Sequence, residues 1–263
     1  MRVPKSVLYF YDSPDKIDFH TWTNRKEYIT FGCTSNRDVN GSNKSKIRVR
    51  TCPKYNKPGL YSTLLLDRSK TVSLPHAVRE FMYKENLQTG DALASCVLQH
   101  NLDSRYSGTV LCKVYPDKKK YDLRVECVRG DGESYTLGDD TSFTTVPKWV
   151  RTQIENQCIL LNNYLDYKID VKLEWVATKY KVYIVQMRFT NIAEDTTVIY
   201  SGDMKNAVVF DASLGLDALT MFIDNMLRDK GKIVPVILKG KVGIGSHLVD
   251  VLRVNHIPSV LKL

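Results

Sequence analysis

Tyr167-Lys168-Ile169-Asp170-Val171-Lys172-Leu173-Glu174-Trp175 alternates apolar and charged side chains without a break. A period of two puts Tyr167, Ile169, Val171, Leu173 and Trp175 on one face of a strand and Lys168, Asp170, Lys172 and Glu174 on the other. The pattern predicts one face in the core and one in water. After a polar break at 178–181, the run 182–189 reads as the hairpin partner. Residues 109–115 form a second hairpin, turning through Pro116-Asp117-Lys118-Lys119 and returning with Tyr121, Leu123, Val125 and Cys127 on one face. Further strands are expected at 7–11, 27–33, 46–51, 61–66, 93–99, 197–200, 207–210, 233–242 and 248–254.

Three segments carry helical spacing instead. In 147–164, Val150, Ile154, Cys158 and Leu161 recur every three or four residues. Residues 214–229 place Leu219, Phe222, Ile223 and Met226 on one side, with Ser213 before and Gly231 after. The shorter 76–83 uses Val78, Phe81 and Met82. Short strands at close spacing predict a β-rich α+β fold, an antiparallel β barrel or sandwich, OB-like, elaborated with two to three helices. A soft boundary near 145 separates a basic β-rich domain, 1–145, from a helix-plus-hairpin domain, 146–263. A single elaborated domain also fits.

The chain has 263 residues, 43% hydrophobic and 25% charged, which supports a buried core and excludes whole-chain disorder. Lys and Arg number 38 against 29 Asp and Glu, a net +9, which favours a polyanionic partner. No apolar run approaches the roughly 20 residues needed to cross a bilayer, and no secretory signal is visible, so a cytoplasmic protein is expected, or one of the host cell cytoplasm or nucleus if viral. Six cysteines then read as reduced thiols rather than a disulfide framework. The sequons at Asn40 and Asn43 read as chance in a polar loop.

The sharpest basic feature runs from Lys44 through Lys46, Arg48, Arg50 and Lys54 to Lys57, with no Asp or Glu between. Lys46, Arg48 and Arg50 share one strand face at about 7 Å spacing, close to the pitch of a single nucleic-acid backbone. Tyr55 and Tyr61 follow, offering rings on which bases stack. The competing reading is an edge strand kept from aggregation by its charges. Lys118, Lys119 and Lys120 crowd the second hairpin turn, flanked by Lys113, Tyr121 and Arg124, and Lys179-Tyr180-Lys181 caps the third hairpin. Taken alone, the 118–120 turn reads more readily as a turn made soluble by its lysines, and the 179–181 signal is weak.

The string Val72-Ser73-Leu74-Pro75, Val78-Arg79 and Leu87-Gln88-Thr89-Gly90-Asp91 resembles the strand, short helix and Leu-x-x-Gly-Asp turn of swapped-hairpin bacterial transition regulators and double-psi barrels. It covers about 20 of the 263 residues, and the resemblance implies a barrel without assigning any site residue.

Catalytic signals are sparse. His20, His76, His100, His247 and His256 are scattered, without metal-binding spacing. Gly240-Lys241-Val242-Gly243-Ile244-Gly245-Ser246-His247 is glycine-rich but lacks the order of a phosphate loop, and reads as a mobile turn between two strands. Asp131, Glu133, Asp139 and Asp140 form an acidic loop without the regularity of a calcium site. The expectation is a single-stranded nucleic-acid-binding protein, such as a viral or phage replication accessory, with no catalytic chemistry and no cofactor or metal. Self-association of copies stays open. A self-assembling viral matrix-like sandwich is the alternative, and a metal-dependent nuclease using Asp139 and Asp140 the third reading.

Overall fold

A computed structural model describes residues 2, 6–10, 46–51, 61–67, 74–90, 95–132, 143–195, 197–230 and 233–262. Its contacts divide the chain into two compact units, Met1–Asp103 with Tyr183–Gln186, and Ser104–Val182 with Met187–Leu263. Residues 27–33 and 133–140, with Lys44, Lys54, Tyr55, Lys57, His20 and Cys33, lie outside the described residues.

In the first unit β1 (Ser6–Phe10), β2 (Lys46–Thr51), β3 (Thr63–Asp67) and β4 (Ser95–His100) form an antiparallel sheet in the order β1-β4-β2-β3. Alternation decides its faces. Ile47 and Val49 of β2 are buried with Cys96 and Leu98 against Val78, Phe81 and Met82 of α1 (Leu74–Thr89), whereas Lys46, Arg48 and Arg50 project from the opposite face. The helix is longer than its sequence stripe indicated and takes in Leu87, Gln88 and Thr89 of the Leu-x-x-Gly-Asp string. Gly90, at φ +68°, donates its N–H to Asn86 O at the helix end, so residues 87–90 close a helix.

The second unit carries two sheets. In the first, β5 (Tyr106–Tyr115) pairs antiparallel with β6 (Lys120–Val125), β7 (Val128–Arg129) and β8 (Val171–Ala177), and the order β6-β5-β8-β9 ends in β9 (Val182–Phe189), of which Val182 and 187–189 belong to this unit. One face, with Val110, Cys112, Val171, Leu173 and Trp175, is buried. The helix α2 (Lys148–Tyr164) lies over it: Asn162 Nδ2 meets Cys112 Sγ at 3.3 Å, and Gln157 donates to Val182 O. Here the sequence stripe of 147–164 is borne out, with Pro147 at the helix N-cap.

The other sheet orders β10 (Val198–Tyr200), β13 (Ser259–Lys262), β12 (Val236–Lys239) and β11 (Val208–Asp211), with β11, β12 and β13 mutually parallel. Parallel neighbours need crossovers, and two helices supply them: α3 (Gly215–Lys230) between β11 and β12, and α4 (His247–Val254) between β12 and β13. Reading 248–254 as a strand is therefore corrected. Leu248, Val249, Val251 and Leu252, all buried, fall on one stripe of a helix, and their β-branched content disguised that spacing. All three sheets are open, each ending in two edge strands, so the OB-like barrel is also corrected. Among the described residues, no helix is long and apolar enough to cross a membrane.

Candidate functional site

The strand expected at 167–175 forms at 171–177, and there its expected wet face is buried. Lys172 is 2% exposed and Glu174 9%. Both lie on the β8 face shared with Thr109 and Leu111 of β5, against the loop and helix that follow β12. Gly245 fixes how close that loop comes: a Cβ there would stand 2.0 Å from Thr109 Oγ1. Glu126 clamps the same loop, its carboxylate accepting from Ile244 N–H at 2.8 Å, Gly245 N–H at 3.1 Å and Thr109 Oγ1 at 3.2 Å.

The glycine-rich segment is thus the entry to α4, not a turn between strands. Ser246 caps the helix by accepting from Val249 N–H, and His247 is its first residue. One turn on, at the i,i+3 position, Asp250 points inward. Lys172 Nζ donates to both Gly245 O and Asp250 Oδ2. Arg188 of β9 reaches Asp250 Oδ2 at 3.2 Å. Arg253 lies 3.8 Å from Asp250 Oδ1, and donates to Ile244 O at 3.2 Å and Ile199 O at 3.3 Å. Burial pushes the Asp250 carboxyl up, but Lys172, His247, Arg188 and Arg253 outweigh it and hold the carboxyl well below the usual range.

His247 completes the cluster. Its side chain is 15% exposed, and Nδ1 faces Asp250 Oδ2 at 3.9 Å. Nδ1 is buried without a hydrogen-bond partner, which leaves Nε2 as the nitrogen able to meet another molecule. A carboxylate behind one ring nitrogen favours a proton there and a lone pair on the other. The first amides of a helix have no intrahelical acceptor and carry the positive end of its dipole, which favours an anion beside the ring. Among the described residues, no group of three His, Cys, Asp or Glu side chains is placed to hold a metal.

Of the residues expected to bind nucleic acid, Lys44, Lys54, Tyr55 and Lys57 lie outside the described residues, and the others are divided between the two units. Lys46 is exposed opposite Asp67 of β3, while Arg48, Arg50 and Tyr61 are half-buried. The strand carrying the stripe is interior to its sheet rather than an edge. Lys113 and Arg124 hold main-chain carbonyls of the 192–194 segment, Lys113 Nζ on Ile192 O at 2.6 Å and Arg124 Nη2 on Ala193 O at 2.9 Å and Glu194 O at 2.6 Å. Tyr121 is half-buried and stacks on Tyr167 at 6.3 Å. Lys118, Lys119 and Lys120 are exposed at the β5–β6 turn. Lys179, Tyr180 and Lys181 are exposed at the other end of the same sheet, because β5 and β8 run antiparallel. Lys179 sits over the Tyr180 ring at 4.9 Å.

No family model and no curated protein matches the sequence. Solved structures of ligases and a carboxylase, of the ATP-grasp fold, do match in shape. A D-alanine–D-alanine ligase from Bacillus anthracis complexed with ATP shows 10% identity over 72% of this chain and 49% of that one, with a TM-score of 0.38. N5-carboxyaminoimidazole ribonucleotide synthetase as an ADP complex shows 11% over 71% and 40%, at 0.44. Biotin carboxylase from Campylobacter jejuni in a β,γ-ATP complex shows 8% over 74% and 38%, also at 0.44. The chain spans half or less of each, and likeness at this level assigns it no activity or substrate. The matches are nucleotide-bound enzymes, which runs against the expectations of a single-stranded nucleic-acid binder, a viral matrix-like protein or a nuclease and of a protein without chemistry, and at this likeness they put no activity in their place.

Proposed function

We propose that this chain is a phosphoryl-transfer enzyme in which Nε2 of His247 takes a phosphoryl group from a nucleoside triphosphate. The observation that carries the reading is the posture of His247, the first residue of α4, with Nδ1 buried facing Asp250 while part of the side chain stays exposed. A neutral ring protonated on Nδ1 offers the Nε2 lone pair to the γ-phosphorus. The N–P bond forms as the bond to the bridging oxygen breaks, and that oxygen leaves on the nucleoside diphosphate. The Nδ1 proton stays in place, and the positive charge that develops on the ring is met by the Asp250 carboxylate.

ATP, the nucleotide bound in the first of the matching structures, is the donor to try first. The test is intact-mass spectrometry after incubation with magnesium ATP. The expected product gains one phosphoryl group that withstands alkali and is lost in acid, as a phosphoramidate is, and His247→Asn gains none. An unmodified wild-type chain, or equal labelling of the variant, overturns the proposal.

A further inference from the structure

Lys172 is an unusual group to bury. It is 2% exposed, is the second residue of β8, and reaches a helix 78 residues further along the chain. An ammonium removed from water is costly unless its hydrogen bonds are made, and both acceptors here belong to the His247 segment: the carbonyl of Gly245, two residues before the histidine, and the carboxylate of Asp250, three after it. A bond to Asp250 alone would give an ion pair, and one to Gly245 alone would give a loop anchor. Making both from one nitrogen fixes the carboxylate relative to the backbone that carries the ring.

We propose that Lys172 is a positioning residue that, through Asp250, sets which nitrogen of His247 bears the proton. The inference rests on the phosphoryl-acceptor reading for its effect on rate, but not for its effect on the ring. Asp250 is faced by Lys172 from β8, by Arg188 from β9, and by His247 and Arg253 from its own helix. With Arg188 and Lys172 on Oδ2, that oxygen is held 3.9 Å from Nδ1, a separation that closes into a hydrogen bond when the ring takes up charge. Without Lys172 the two arginines pull the carboxylate toward themselves. Nδ1 then no longer faces the carboxylate, and the proton redistributes between the two nitrogens.

The experiment is the two-bond proton–nitrogen NMR spectrum of the histidine rings at neutral pH, with the His247 signal assigned by its absence from His247→Asn. The wild type is expected to show His247 protonated on Nδ1. Lys172→Met and Asp250→Asn are each expected to show a mixture of tautomers and to slow phosphoryl uptake by about 10–100-fold, the range seen when a histidine's outer partner is removed. The double variant should be no worse than either single one, because the lysine acts through the aspartate. A packing role alone would lower the melting temperature and leave the tautomer unchanged. If Lys172→Met does not fold, Asp250→Asn, which keeps the shape of the side chain, decides. A wild-type tautomer in whichever of the two variants folds overturns the proposal. A tautomer change in a protein whose wild type never accepts a phosphoryl group sinks the function while leaving the positioning role standing.

Discussion

Strands β2 and β8 carry the same kind of pattern and have opposite fates. Each alternates charged and apolar residues, and in each the apolar set lies against a helix. On β2 the charged face holds exposed Lys46 with half-buried Arg48 and Arg50. On β8 the charged face holds Lys172 and Glu174, both buried, with Lys172 pinned to α4. A period of two separates the faces of a strand but does not say whether the second face meets water or another layer. What distinguishes the two is found elsewhere in the chain: an acidic residue and a close-packing glycine placed to receive the buried lysine.

The contrast predicts a steep difference in energetics. Asp250→Ala leaves Lys172, Arg188 and Arg253 around a missing carboxylate and should destabilise the protein by about 3–5 kcal/mol in urea unfolding. A loss under about 1 kcal/mol would place the cluster in water after all. The same pair sets a pH dependence. The folded state depresses the Asp250 carboxyl, whereas in the unfolded chain it titrates near its ordinary value of about 3.9. Its stabilisation is therefore complete above that value and drains away as the pH falls below it. The urea midpoint of the wild type should drop further between pH 7 and pH 3 than that of Asp250→Asn, and equal drops would contradict the ion pair. Gly245→Ala drives a methyl into Thr109 and should cost about 1–3 kcal/mol, read from the same unfolding curves. On β2, Arg48→Ala should move stability by no more than about 0.5 kcal/mol, and a larger loss there would erase the contrast between the two strands.

Much of the scaffold was legible in the sequence. The hairpins read at 109–127 and 167–189 and the helix α2 follow from period-two and period-four apolar spacing, and the structure has them, except that the strand read from Tyr167 begins at Val171, with Tyr167 at φ +52° and Ile169 exposed. The site was not legible, for two physical reasons. Leu248-Val249-Asp250-Val251-Leu252 is rich in β-branched residues and so mimics a buried strand, although its apolar residues flank Asp250 at the spacing of a helix. Read as that helix, His247 and Asp250 fall on one face, one turn apart, behind a serine cap. The second reason is distance along the chain. Nothing local to Lys172 or Glu126 announces a partner more than 70 residues away, and only the stacking of the two sheets supplies one. Net charge counts side chains without placing them: Lys113 and Arg124 hold main-chain carbonyls of the 192–194 segment, and the exposed lysine turns lie at opposite ends of one sheet.

Site mapping of the phosphoryl group tests the account most directly. After incubation with magnesium ATP and proteolysis under alkaline conditions, peptide mass spectrometry should place the modification on His247, within the peptide that spans Gly245 to Arg253. Modification at another histidine, at a serine or threonine, or nowhere at all would contradict the assignment of Nε2 of His247 as the acceptor.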